Sequence, residues 1–300
     1  MRRILKKIAT SILVLGCLVG VERFCHRQTR GFTIQAISSD SPYDFLQPHV
    51  PEVEALLAQP FYFLASGGQS YVFISQDGSI VLKLFKHHHM RLWKWLHQLP
   101  LPHAFESVRQ QFLEKRLHQS PQFLESCQIA YQSFRERTGL IYLHLNKTTH
   151  FRNHVLLVDN LGIVHPIDPN TTDFALQRKG VLPHRKFKQL LERHDLESFK
   201  RCIDSIVTLI FERCQQGIGD RDLNIRRNLA FLGEQAIEID LGSYTHAPHL
   251  KEPEQCRAEL IEKTKKFHHW LYIRNPELAQ HLLQQIEHAL IKHDRGQSLI

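Results

Sequence analysis

An α+β body is what the order of the periodicities predicts. Short apolar runs bounded by turn residues fill much of the stretch before Gly180, and longer runs with a 3.6-residue period follow it, so strands precede helices along the chain. The 300 residues suffice for one or two domains, and 42% hydrophobic with 23% charged residues is an ordinary globular balance that excludes disorder and collagen-like repeats.

The chain opens with MRRILKK and continues into fourteen uncharged residues, Ile8 to Val21. At about 1.5 Å per residue these span about 21 Å, short of the roughly 30 Å hydrocarbon core, so a secretory signal and a membrane-spanning helix both fit. Val14-Leu15-Gly16-Cys17 resembles a bacterial lipoprotein cleavage box, although the apolar run continues past it to Val21. Membrane association through residues 4–21 is therefore expected, and basic residues on both sides leave the orientation open. The net charge of +8 has the same origin, because residues 1–30 carry seven basic residues against Glu22 alone. With the basic excess gathered in this segment, a nucleic-acid partner is not expected.

Residues 31–60, with Pro48, Pro51 and Pro60 and the run Ser38-Ser39-Asp40-Ser41-Pro42, read as a linker holding one short helix near Pro51 to Ala58. Tyr71 to Ser75 and Ile80 to Phe85 flank Gln76-Asp77-Gly78-Ser79, a strong hairpin signal. VLLVDNLGIVHPI reads as a second hairpin turning at Asp159 to Gly162. Between the two, Phe105, Val108 and Phe112 recur at helical spacing in His103 to His118. After Gly180, Asp195 is a candidate N-cap for a helix carrying Phe199, Cys202, Ile203, Ile206, Ile210 and Cys214, stopped by Gly217. Pro253 and Asn275-Pro276 announce two more helices.

Six cysteines without a CxxC pair give neither a zinc ribbon nor a disulfide framework, and Cys202 and Cys214 read as small core residues. Of the 21 histidines, the run His87-His88-His89 reads as a polar helix start or loop in preference to a metal site, since successive helical side chains diverge.

Two regions carry chemistry. Leu64-Ala65-Ser66-Gly67-Gly68-Gln69-Ser70-Tyr71-Val72 is a small-residue loop whose backbone N–H groups can approach a phosphate, and a plain strand turn is its simpler reading. Lys83 follows Val72 by eleven residues within Val81 to Phe85, on the face shared by Val81 and Phe85, where it calls for an anion unless it snorkels to solvent. Downstream come Gly219-Asp220-Arg221-Asp222-Leu223-Asn224, then Asn228, then the apolar strand Ala236 to Ile239 ending in Asp240-Leu241-Gly242.

In order and spacing these segments resemble the protein-kinase superfamily, whose chains carry G-x-G-x-x-G-x-V, a strand lysine, H-R-D-L-x-x-x-N and D-F-G. The resemblance runs through short motifs over about residues 61–245. It implies a two-lobed fold, with an antiparallel-sheet lobe over residues 61–180 and a helical, reduced lobe over 181–300, behind the 1–30 segment and the 31–60 linker. It also implies ATP and Mg²⁺ as cofactors. Gly67, Gly68, Ser70 and Val72 would line the nucleotide, Lys83 would hold its α and β phosphates with Glu106 (or Glu114) as the lysine's partner, Asp222 would orient the attacking hydroxyl, and Asn228 and Asp240 would ligate Mg²⁺.

The pattern departs from the family in named places. Ala65 and Ser70 replace two loop glycines, Asp220 replaces the histidine, and Asn228 follows Asp222 by six positions where the motif has five. His246-Ala247-Pro248 only faintly matches A-P-E, and about sixty residues follow Asp240. The two readings are thus a membrane-associated phosphotransferase acting on a hydroxyl acceptor and a non-catalytic kinase-like binding module at a membrane.

Overall fold

Residues 2–39, 45, 47–48, 50–87 and 122–294 are described by a computed structural model, and they form a mixed α and β architecture with a seven-stranded sheet. Helices α1 (Arg2–Gln28), α2 (Ile34–Ile37) and α3 (Pro51–Leu57) precede strands β1 (Phe61–Ser66), β2 (Ser70–Ser75) and β3 (Ile80–Phe85). Helix α4 (122–133) and the single turn α5 (Arg135–Thr138) lead into β4 (Leu140–His144), β5 (Val155–Val158), β6 (Val164–Ile167) and β7 (Phe174–Arg178). The sheet order is β4-β7-β3-β2-β1-β5-β6. Then follow α6 (Pro183–Glu192), α7 (Leu196–Gln215), β8 (Ile218–Asp220), α8 (Ile225–Asn228), β9 (Leu229–Leu232), β10 (Gln235–Glu238), β11 (Tyr244–His246), α9 (Pro253–Arg274) and α10 (Pro276–Asp294). In this later half β9 pairs with β10 and β8 with β11; β10 meets the strand read at Ala236 to Ile239, and the other three short strands stand where the sequence reading had mainly helices.

The described residues fall into two compact units, one running to residue 87 and taking in 144–176, the other comprising 122–143 and 177–294. The two units are thus built from four stretches that alternate along the chain.

In the first unit β1, β2 and β3 form an antiparallel meander, with a register shift between Phe63 and Ala65. The turn between β2 and β3 is made where Asp77-Gly78 predicts it. Gly78 takes φ +74°, and the Asp77 carboxylate accepts from the Ser79 N–H at 3.0 Å and from the Ser75 hydroxyl at 2.6 Å. The second predicted hairpin is β5–β6, with Gly162 at φ +82°. Its strand β5 also runs parallel to β1.

The stretch read as a linker packs instead. Phe32, Ala36, Ile37, Val53 and Leu57 are buried, and the Phe32 ring lies 5.3 Å from that of Tyr71 and 5.1 Å from that of Phe73. Serine and proline content misled here, because a few large apolar residues are enough to fasten an irregular segment. The short helix within it was legible: α3 starts at Pro51.

Among the described residues no helix is long and apolar enough to cross a membrane, which corrects the expectation of a transmembrane helix at the amino terminus. Helix α1 is 27 residues long, but Arg2, Arg3, Lys6 and Lys7 begin it and Glu22, Arg23 and Arg27 end it. Its uncharged centre therefore keeps the span of about 21 Å against a hydrocarbon core of about 30 Å. From Leu13 to Phe24 the large apolar side chains Leu13, Val14, Leu15, Leu18, Val19, Val21 and Phe24 are exposed.

The core of the second unit is built on α7. Asp195 caps it by accepting from the Ser198 N–H at 3.0 Å, and the helix ends before Gly217 at φ +68°. Phe199, Cys202, Ile203, Ile206, Ile210 and Cys214 are fully buried along one stripe, as the period predicts. Phe187 of α6 stacks on Phe199 at 4.6 Å and on Phe267 of α9 at 5.3 Å. The last helix begins at Pro276, where the Asn275 side chain accepts from the Leu278 N–H at 3.3 Å. The helix expected at 103–118, with Glu106 and Glu114, lies outside the described residues, as do His88 and His89.

Candidate functional site

The first unit holds the glycine loop. It joins β1 to β2 as a tight reversal in which the Gly67 N–H donates to the Ser70 carbonyl at 2.9 Å. A Cβ built on Gly68 would meet no protein atom within 4 Å, so the space over this glycine is open. Val72 and Lys83 are cross-strand partners, both partly exposed, and alternation along β3 places Val81 and Phe85 on the face of Lys83. Sequence reasoning had put these residues on one face.

A second lysine was missed. Lys86 is buried just past β3, and its ammonium donates to the Ser66 hydroxyl at 2.8 Å and to the Gly67 carbonyl at 2.5 Å. The charge sits 4.4 Å from the centre of the Tyr71 ring, and the Tyr71 hydroxyl donates to the Gly31 carbonyl. The Lys86 N–H also donates to the Gln69 carbonyl at 2.9 Å. Burial draws the Lys86 ammonium below the ordinary lysine range. Continuing the parity of Leu82 and Leu84 by two residues would have flagged it, since those neighbours face the core. His87, next along, lies 3.0 Å from the Asp173 carboxylate with both side chains buried.

The second unit holds the acidic residues. Asp222 is exposed, Asp240 half-buried and Asn228 buried. The one-residue excess in the loop is absorbed by α8, a single helical turn. Asn224 caps it by accepting from the Arg226 N–H at 3.1 Å, and the Asn228 N–H reaches back to the Asn224 carbonyl at 2.7 Å. That turn brings Asn228 back to Asp222, whose carbonyl accepts from the Asn228 side-chain amide at 2.5 Å. The Asn228 carbonyl in turn accepts from the Ile239 N–H at 2.7 Å, one residue before Asp240. Asp222, Asn228 and Asp240 are therefore linked through backbone and amide bonds into one corner of the unit. The Asp240 carboxylate accepts from the Gly242 N–H at 3.1 Å.

Behind this corner lies a buried ionic network that sequence reasoning also missed. Arg213 is fully buried and reaches Asp220 at 3.3 Å, Glu238 at 2.8 Å and Glu259 at 3.1 Å. Asp220 accepts the Asp222 N–H at 2.8 Å, and its carbonyl accepts from Lys263 at 2.6 Å. Tyr244 donates its hydroxyl to Glu238. Burial pushes the Glu238 carboxyl above its usual range, against the pull of Arg213, and pushes the Tyr244 phenol well up. Asp220, read as a stand-in for the motif histidine, thus serves as a strut that fixes the backbone of Asp222. An arginine three positions after Ile210, on the apolar stripe of α7, was the available signal.

The acidic corner offers oxygen donors to a divalent cation. An amide nitrogen must face the Asp222 carbonyl, so the Asn228 side chain offers its oxygen on the other side. With an Asp240 carboxylate oxygen, this gives two hard oxygen donors. No group of three His, Cys, Asp or Glu side chains is placed to hold a metal among the described residues. Magnesium needs no such cage, because one or two carboxylates plus substrate phosphates and water satisfy it, so the residues fit that ion.

No family model matches the chain, and no curated protein matches it. Solved structures of the bifunctional kinase-methyltransferase WbdD are similar in part. One has 12% identity and a TM-score of 0.34 over 76% of this chain and 43% of that one. A co-crystal of WbdD with the kinase inhibitor LY294002 has 12% identity and a TM-score of 0.34 over 79% and 48%. A 2.2 Å structure of WbdD has 14% identity and a TM-score of 0.34 over 76% and 45%. The chain spans less than half the length of these matches.

Proposed function

We propose that the chain is a two-lobed, kinase-like phosphotransferase that uses MgATP to phosphorylate a hydroxyl acceptor. The observation that carries this reading is the closure of the acidic corner. The extra loop residue, the main departure from the motif spacing, is taken up by one helical turn that returns Asn228 to Asp222 and Asp240. In this reading Asp222, exposed at the loop, accepts the proton of the attacking hydroxyl. Asn228 and Asp240 hold Mg²⁺, which when bound neutralises charge on the phosphates. Gly67, Gly68, Ser70 and Val72 line the nucleotide, and Lys83 pairs with its α and β phosphates. Phosphoryl transfer asks little more of a protein than positioning and charge, and these residue types supply both.

The test uses the full chain. MgATP at a hundredfold excess over its dissociation constant should stabilise the protein by about 2.7 kcal/mol in a thermal-shift assay. Phosphate release or autophosphorylation should vanish in Asp222→Asn with nucleotide binding retained, whereas Asp240→Asn should lose the magnesium-dependent part of the shift. Turnover surviving both substitutions, or no response to MgATP, overturns the reading.

The longer catalytic loop and the replacement of the motif histidine by a structural Asp220 favour a second reading, a non-catalytic nucleotide-binding module. Stabilisation by MgATP without phosphate release would select it. Either module would be held at an anionic lipid surface by α1, where basic ends flank exposed apolar side chains. Co-sedimentation with phosphatidylglycerol vesicles and not with phosphatidylcholine vesicles tests that attachment. Equal recovery with both refutes it.

A further inference from the structure

We propose that Lys86 is a positioning residue for the glycine loop, fixing the direction of the Gly67–Gly68 peptide so that the Gly68 N–H is aimed at a nucleotide phosphate. The inference deepens the proposed function and rests on it for the identity of the ligand.

The geometry starts with a trans peptide. A carbonyl and the following N–H point in opposite directions across a planar unit, and none of the described peptide bonds is cis. The Lys86 ammonium donates to the Gly67 carbonyl at 2.5 Å, and so turns the Gly68 N–H the other way. Two further bonds remove the remaining freedom. The Ser66 hydroxyl takes a second ammonium proton at 2.8 Å, and the Gln69 carbonyl takes the Lys86 backbone N–H at 2.9 Å. The loop is thus pinned at its start and end by one residue. Without such a pin a glycine pair samples both signs of φ, so the peptide would turn over among several orientations.

The pin is itself held. The ammonium lies on the Tyr71 ring, Tyr71 is anchored through its hydroxyl to Gly31, and its edge meets Phe32 at 5.3 Å. A Cβ on Gly68 would meet no protein atom within 4 Å, so the protein leaves room for an anion beside this residue. An N–H presented in this way is the donor that a phosphate oxygen needs. Lys86 faces the loop's carbonyl side and acts through Gly68, which distinguishes its role from that of Lys83.

The magnitude follows from population arithmetic. Apparent affinity falls by the fraction of loop conformers that are competent, so a drop to about one in ten raises the apparent dissociation constant about tenfold, or 1.4 kcal/mol. Lys86→Met keeps the stem and removes the charge. Steady-state kinetics of the full chain should show KM for MgATP raised about tenfold with kcat within about twofold, and amide hydrogen exchange at residues 67–70 should quicken without nucleotide. Ser66→Ala, which keeps the charge and removes one partner, should move both readouts in the same direction by less, and it decides the matter if Lys86→Met does not fold. Unchanged KM with unchanged exchange overturns the inference. So does a fall in kcat at constant KM, which would put Lys86 on the transferring group. If the wild-type chain neither binds nor turns over MgATP, the proposed function fails, and loop exchange alone then judges the pin: unchanged exchange in Lys86→Met would end it, and faster exchange would keep it.

Discussion

Replacing Arg213 by methionine keeps most of the side-chain volume and removes the guanidinium that bonds Asp220, Glu238 and Glu259. The carboxylates of Asp220 and Glu238 are 2% and 1% exposed, so water cannot take the place of the lost cation. Breaking a buried pair from one side costs about 3–5 kcal/mol, a large part of the roughly 5–15 kcal/mol that holds a domain together. Protonation limits the loss. Glu238 already sits above its unfolded value of 4.5 because of burial, so the folded state binds more protons than the unfolded one above that pH, and stability falls as pH rises through the folded value. Losing Arg213, which opposes that rise, moves the carboxyl further up and widens the window in which the chain is penalised. Urea denaturation of the full chain should therefore show a larger loss for Arg213→Met at pH 8 than at pH 5.5. Adding Glu238→Gln should recover part of it, because the remaining buried charge no longer needs a partner. A loss below about 1 kcal/mol at pH 8, against the 3–5 of a broken buried pair, or a larger loss at pH 5.5, would refute the reasoning.

Other perturbations give simpler outcomes. Gly217→Ala places a Cβ at φ +68° and 2.9 Å from the Lys251 side chain, so thermal melting should show a loss of about 1–2 kcal/mol from the left-handed backbone alone. Phe187→Ala removes a ring stacked on Phe199 and Phe267, and chemical denaturation should show a loss of about 3–5 kcal/mol with no change in nucleotide affinity. Gly180→Ala would set a Cβ 2.6 Å from that of Ala230 and 3.2 Å from the Phe231 backbone, so it should destabilise the chain, with faster amide exchange at Val181 and Phe231, whose N–H groups exchange bonds.

What the sequence made legible was local. The Asp77-Gly78 and Asp159 to Gly162 turns, the Asp195 cap, the Gly217 stop and the Pro253 and Pro276 helix starts are each decided within a few residues, and the structure has them where predicted. Burial depends on partners far away in the chain, and there the reading failed. Phe32 lies among prolines and serines but meets rings some forty residues on, at Tyr71 and Phe73. Strands β4 and β7 went unread even though turn residues flank them, Gly139 before the one and Asp168-Pro169-Asn170 before the other, because their pairing partners lie far off in the chain. The site divided in the same way. The order of Gly67, Lys83, Asp222 and Asp240 could be read in sequence, and so could the excess residue before Asn228. Its absorption by α8 could not, because the competing interactions are a cap at Asn224 and an amide bond to a carbonyl. Lys86 and Arg213 were overlooked for a common reason: a charged residue on an apolar face looks like an exception until its partners are known.

Strand β6 forms one of the two edges of the seven-stranded sheet, is only four residues long, and carries Pro166 opposite Leu156. A proline there has no amide proton to offer, and its ring interrupts the rail along which a foreign strand would zip. The added hairpin therefore finishes this edge of the sheet with a blunt rim, so that on this side crowded copies of the chain meet no long, regular border from which fibrils grow.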